Sequence, residues 1–424
     1  MSVFGVTQNG MCVGCGACAG VCSFDAINMR YKKDGSLFAH IDNNKCIECG
    51  RCLKVCPSRP EREIGETEAE IFHGKLKNKA YLTYAVDDEI RAKGQSGGTV
   101  TALLLYLLEN EKIHGVATCK YNAETAAFET NIAQNKQGLL DSVGSNYIQF
   151  PHCKSIIENS KKIDAAVLLG CQSEALGRVR NLNLKYRFGL ICAGLYKKTL
   201  MNEFVDEVSD NSISNIRFKD KRYGGFPGDT VVESGNEKYT FAKSERLRYF
   251  KSYGCLRCFA CNLKLNNDCD ILFGDPWGFV LDDIDKGYNV AIPITEKGEE
   301  LLKIAEKENI IHARPVDLQK VINGQFMNYY KSKFYTVLKE MKRKNIVPPY
   351  KVPDEKIFKG ISEDKNVRND FNYLWNIYNC DDEKAIKDVV ETHKKNQLLN
   401  IRKNSIMASI KRNIKKIMNM FRRN

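Results

Sequence analysis

The chain has 424 residues, 43 % of them apolar and 28 % charged, with 17 cysteines and a formal charge of +13. This length excludes one small domain, and the apolar share excludes an unfolded chain. Ten Lys or Arg residues and no acid lie between Lys394 and Asn424, leaving about +3 for the rest, which excludes a nucleic-acid surface spread over the body.

The first elements are two near-identical cysteine runs, Cys12-x2-Cys15-x2-Cys18-x3-Cys22 and Cys46-x2-Cys49-x2-Cys52-x3-Cys56, the second closed by Pro57. This is the ligand spacing of two cubane [4Fe–4S] clusters in which the fourth cysteine of each run serves the other cluster. Cys12, Cys15, Cys18 and Cys56 are therefore expected to hold one cluster, and Cys22, Cys46, Cys49 and Cys52 the second. Gly14, Gly16, Ala17 and Gly50 suit tight turns that aim backbone N–H groups at sulfur. The segment resembles bacterial two-cluster ferredoxins over its whole length, with Ser23 where a proline usually follows the last cysteine. Paired zinc knuckles would be well separated, and disulfides need an export signal that Met1–Met11 lacks. The expected role is single-electron transfer in a reducing cytoplasm.

The ferredoxin-like segment is expected over 1–60, a linker over 61–78, an α/β domain over 79–345, a helical extension over 346–392 and a basic tail over 393–424. Strand-like runs occur at Gly115–Cys119, Ala165–Gly170, Phe188–Ala193, Thr230–Val232, Lys238–Phe241 and Ile271–Gly274. Arg91 to Thr99 is a glycine-bearing entry to an apolar helix over Val100–Glu109. Such an entry is either an ordinary turn or a phosphate cradle at a helix N-terminus.

Taken in order, residues 79–275 resemble the coenzyme F420 hydrogenase/dehydrogenase beta-subunit family. The matching segments are Arg91–Gly98, Gly144–Gln149, Gly170–Gln172, Cys192–Gly194, Phe218–Lys221, and Cys258-x2-Cys261 running into Asp270–Asp275. The resemblance implies an α/β multidomain fold with a flavin- and iron–sulfur-binding domain behind the ferredoxin-like one. It implies FAD near Ser96, Gly97, Gly98, Thr99, Gly144, Ser145 and Tyr147, and a third [4Fe–4S] cluster on Cys171, Cys192, Cys258 and Cys261, with Cys255 as a rival ligand. The chain departs from the family pattern at Leu168–Gly170 and at Ala193. Cys119, Cys153, Cys269 and Cys380 have no partner spacing and read as structural.

The six histidines are scattered, and neither a Walker loop nor GxSxG occurs, so the redox chemistry must rest on cofactors. The expected function is an iron–sulfur flavoprotein oxidoreductase exchanging electrons between coenzyme F420 and the clusters. The alternatives are another organic substrate, such as a polysaccharide-biosynthesis intermediate, or an electron-transfer subunit within a complex. Arg91, Lys93, Lys219 and Lys221 are candidates for the acidic deazaflavin tail. In the basic tail, Ile406, Ile410, Ile414, Ile417 and Phe421 form an apolar stripe backed by cations, a pattern suited to peripheral membrane contact or to docking.

Overall fold

The computed structural model describes residues 2–63, 78–209, 212–281, 283–351, 358–397 and 399. Near the N-terminus, β1 (Ile27–Tyr31) pairs antiparallel with β2 (Leu37–Ile41). Each cysteine run enters a one-turn helix, Ala17–Gly20 or Arg51–Val55, behind a glycine in the left-handed region. Gly16 lies at φ +79° and Gly50 at +75°, a conformation that glycine adopts without Cβ strain. The sequence repeat is a backbone repeat. Ser23, in the usual proline position, accepts a hydrogen bond from Arg51 at 2.9 Å.

The body is built on β3 (Ala80–Ala85), β4 (Val116–Asn122), β5 (Ala127–Ala133), β6 (Ala165–Leu169) and β7 (Tyr186–Leu190). They are followed by β8 (Asn215–Asp220), β9 (Asp229–Ser234), β10 (Glu237–Phe241), β11 (Ile271–Gly274), β12 (Asn289–Pro293) and β13 (Ile311–Val316). One sheet has the order β13-β3-β12-β11-β7-β6-β4-β5, and β10-β9-β8 form a smaller one. The central strands β4, β6, β7 and β11 are parallel. Such strands need cover on both faces, which explains their continuous apolar runs. Leu103, Leu104 and Leu107 of the helix Thr99–Glu109 pack on Phe188, Ile271 and Ala291 on one face. Cys153, Ile156, Ala175 and Leu176 of the helices His152–Glu158 and Gly170–Gly177 pack on Ala117, Ala166 and Leu168 on the other. The expected apolar runs thus fall on β4, β6, β7, β9, β10 and β11, although β7 ends before Cys192.

The extension is part of the core. Its helix Lys365–Tyr378, capped by the Asp364 carboxylate, buries Val367, Phe371, Leu374 and Ile377 in the cluster that holds Val6 and Met11. The Tyr378 hydroxyl donates to the Thr7 carbonyl at 2.6 Å. A buried ion pair, Lys197 to Asp34 at 3.3 Å, ties the β1–β2 hairpin to the body. Most of the expected linker, 64–77, and the basic tail beyond 399 lie outside the described residues. Among the described residues no helix is long and apolar enough to cross a membrane.

Candidate metal centres

In an open α/β sheet, ligand sites form beyond the carboxyl ends of the parallel strands. β6 ends at Leu169 and the next helix begins at Gly170, which places Cys171 in its first turn. The Gln172 side chain fixes that turn by accepting from the Leu169 N–H at 2.9 Å. β7 ends at Leu190, just before Cys192, and β11 delivers Asp275. Cys258 stands in the single turn Leu256–Phe259, with Cys261 immediately beyond it.

Three sets of thiols converge, and all 17 cysteines are free. Burial raises the Cys18 pKa, and the thiols of Cys12, Cys15, Cys56 and Cys52 add to the shift, while Cys56 lies near Cys15 and Cys12. Cys22, Cys46, Cys49 and Cys52 line one small cavity. Burial also drives Cys171 well above the usual thiol range, assisted by Cys261, Cys15, Cys192 and Cys258. Cys192 is pushed up to about 12, first by burial and then by Cys258 and Cys261. Thiols held this high stay protonated at neutral pH unless a metal displaces the proton. Among the described residues no three His, Cys, Asp or Glu side chains approach closely enough to ligate a single ion. A cubane spreads its four thiolates over four iron corners.

Two cysteines lie behind these sets. Cys255, 2 % exposed, lies beside Cys258 with Lys197 and Asp34 nearby. Cys153, expected to be structural, is fully buried beside Cys15 and donates to the Gln172 carbonyl at 3.8 Å. Cys269, by contrast, packs on Gly189 and donates to the Asn266 carbonyl at 3.2 Å.

Around the third set the fold buries Arg257, Lys333 and Lys264. Arg257 donates from Nε to Ser58 Oγ at 2.8 Å and from Nη1 to the Ala260 carbonyl at 2.8 Å. Its Nη2 has no hydrogen-bond partner. Burial opposes the guanidinium charge, but Cys261, Tyr350, Cys171 and Cys258 outweigh it. The Leu195 N–H donates to Cys258 Sγ at 3.4 Å and the Leu263 N–H to Cys261 Sγ at 3.3 Å. An anion held on these thiols would satisfy the orphaned nitrogen and offset the buried cations.

The glycine loop has another character. A Cβ on Gly97 would come within 2.7 Å of the Thr83 carbonyl and 2.9 Å of the Asn289 nitrogen. One on Gly98, at φ +75°, would meet the Ile90 carbonyl at 2.8 Å. Both glycines are required by the fold itself, and Thr99 bonds Thr83 in the core at 2.9 Å. The Ser96 hydroxyl donates to Asp275 at 2.5 Å, which also accepts from Gln95 at 2.9 Å and from Lys219 at 2.8 Å. Burial opposes both charges, yet their pairing holds Lys219 above and Asp275 below its usual range. Ser145 bonds Gln95, and Tyr147 lies under the Lys219 ammonium at 5.4 Å. Gly144, at φ +131°, has open space where a side chain would go.

The other three candidate cations are committed elsewhere. Lys221 donates to the carbonyls of Arg91, Gly94 and Ser96, holding the loop shut. Arg91 is stacked on Tyr84 at 3.7 Å. Lys93 pairs with Glu89 at the surface.

Comparison with known proteins agrees with this arrangement. Residues 80–157 match the N-terminal part, and residues 162–319 the C-terminal part, of the coenzyme F420 hydrogenase/dehydrogenase beta subunit. Residues 11–59 match a 4Fe-4S dicluster domain. The chain belongs to the coenzyme F420 hydrogenase/dehydrogenase beta-subunit family. It is 27 % identical over 248 residues to an F420-dependent formate dehydrogenase 1 subunit beta of Methanococcus maripaludis, covering 56 % of this chain and 62 % of that one. It thus spans about three fifths of that relative's length. With the coenzyme F420 hydrogenase subunit beta of Methanococcus voltae it shares 24 % identity over 259 residues, covering 57 % of this chain and 88 % of the other. A chain of the F420-reducing [NiFe] hydrogenase complex of Methanosarcina barkeri superposes with a TM-score of 0.51 at 20 % identity, over 66 % of this chain and 97 % of that one. This last likeness speaks to the fold alone.

For this family member, sequence reading missed the buried cations. Arg257 could have been found as the one charged residue inside Cys255–Cys261, and Lys264 by its nearness to Cys261. Lys333 comes from the distant helix Met327–Arg343 and leaves no local signal.

Proposed function

We propose that the protein is an iron–sulfur oxidoreductase that exchanges electrons between a two-electron carrier and three [4Fe–4S] clusters. Cys12, Cys15, Cys18 and Cys56 would hold the first, Cys22, Cys46, Cys49 and Cys52 the second, and Cys171, Cys192, Cys258 and Cys261 the third. The observation that carries this reading is the third set, in which Cys171, Cys258 and Cys261 lie around a buried guanidinium with an orphaned N–H and Cys192 lies beside Cys258 and Cys261. Bound there, cubanes supply one-electron carriers, and a flavin would link them to two-electron exchange.

The relatives named above use coenzyme F420, which makes that deazaflavin the favoured carrier. The proposed seat for FAD and its partner is the face where Lys219, Tyr147, Ser145 and Gly144 meet. Lys219 there presents a fixed positive charge held by Asp275. Ser96, Gly97, Gly98 and Thr99 would shape this seat from beneath rather than touch a phosphate through their Cα atoms. Ala193 and Leu168–Gly170, where the family pattern is broken, favour a second reading with the same cofactors and another organic substrate. Partner redox subunits fit either reading. The peripheral membrane role of the tail rests on its sequence pattern.

Anaerobically purified protein should contain about twelve iron and twelve acid-labile sulfur atoms per chain. Deproteinised protein should release FAD, and reduced coenzyme F420 should bleach the visible absorbance faster than reduced nicotinamides do. If dithionite bleaches it while the deazaflavin does nothing, the second reading replaces the first.

A further inference from the structure

The first and third thiol sets are joined through a single side chain. Cys56 Sγ accepts from the Ser58 N–H at 3.4 Å, and Ser58 Oγ accepts from Arg257 Nε at 2.8 Å. Arg257 then leads along the backbone into Cys258, and its Nη1 holds the Ala260 carbonyl just before Cys261. It is 1 % exposed and lies near Cys56 on one side and Cys261, Cys171 and Cys258 on the other. Cys171 also lies close enough to Cys15 for the two thiols to influence each other. The set on Cys22, Cys46, Cys49 and Cys52 has no such connection to Arg257 among the described residues.

We infer that Arg257 is a positioning residue shared by the first and third clusters, setting both reduction potentials together and leaving the second untouched. This inference rests on the reading that both sets hold cubanes. Each cluster gains one negative charge on reduction, and a buried cation stabilises that charge more strongly than a solvated one does. A guanidinium between two such groups favours the reduced form of each. It also lowers the repulsion an electron meets in passing from one to the other. The guanidinium geometry matters too, since a fork can bond Ser58 and Ala260 at once where a point charge cannot.

The test is a potentiometric titration of the full chain under anaerobiosis, followed by electron paramagnetic resonance, with iron counted first. The second cluster's signal is assigned by its loss in Cys49→Ser. In Arg257→Gln, two midpoints should fall together while the second cluster's stays at the parent value. Arg257→Lys, which keeps the charge but cannot bond Ser58 and Ala260 at once, should shift both midpoints in the same direction by less than Arg257→Gln does. Twelve iron atoms with three unchanged midpoints in Arg257→Gln, or only one shifted, would overturn the shared role while leaving the cluster reading intact. About eight iron atoms in the parent would instead remove the third cluster itself. Should Arg257→Gln fail to fold, Ser58→Ala decides. It breaks the link to Cys56 with the charge retained, so the first midpoint should shift alone, and no shift would defeat the proposal.

Discussion

The first cysteine run lies beneath the helix His152–Glu158, with Cys15 and Cys18 buried, whereas the second run opens to solvent in its first turn, with Cys49 exposed and Ile47 60 % exposed, before Cys52 is buried again. Their turns are alike, but their surroundings differ. A Cβ on Gly16 would come within 2.8 Å of Pro151 Cβ, and one on Gly14 within 3.1 Å of Leu37 Cβ. At the position matching Gly14, the second run carries Glu48 in the same left-handed region, at φ +53°. Solvent leaves room for that side chain, so the exposed run tolerates strain that the buried one replaces with glycine. One ligand pattern thus serves an inner site, set against the body of the protein, and an outer site, open to a partner.

Several changes would sharpen or break that contrast. The largest effect should come from Asp34→Asn, which strips Lys197 of its buried partner behind the first run. A loss of about 3–5 kcal/mol is expected in denaturant titration of the iron-loaded protein. A parent-like midpoint would mean that the pair does not anchor the hairpin. Next, Gly14→Glu, which copies the second run into the first, should cost about 2–3 kcal/mol through overpacking and left-handed strain. The reverse change, Glu48→Gly, should alter stability by no more than about 1 kcal/mol. Equal effects in the two variants, read as melting temperatures, would erase the distinction between the sites. The smallest change concerns kinetics alone. Treatment with ferricyanide and a chelator should release about four iron atoms first, from the outer set, and the remaining eight more slowly. A single phase for all the iron would count against an outer and an inner site.

The sequence was most legible where chemistry demands a fixed spacing. The cysteine runs led to the crossed assignment of Cys56 and Cys22; in the structure Cys56 lies near Cys15 and Cys12, and Cys22 lines a cavity with Cys46, Cys49 and Cys52. Strands buried on both faces were visible as apolar runs. β3, β5 and β13 were not, because their mixed patterns acquire meaning only through pairing with neighbours, and β12, an apolar run buried like the central strands, was overlooked. The glycine loop misled for a related reason. Gly97 serves close packing against β3 and β12, a long-range contact that looks in sequence like a phosphate cradle. Side-chain direction was equally hidden, so the places of Cys153 beside Cys15 and of Cys255 beside Cys258 could not be read beforehand.

The helix Lys365–Tyr378 lies beyond the residues that match the family, yet it presses on the very start of the chain. A Cβ on Gly10 would come within 3.3 Å of the Tyr378 ring. The N-terminal residues and the helical extension are thereby buckled together. A ferredoxin fused to a larger enzyme could swing on its tether like a shuttle. Here the buckle holds the ferredoxin-like segment against the body, so that its distance from Cys171, Cys192, Cys258 and Cys261 is set once, at folding.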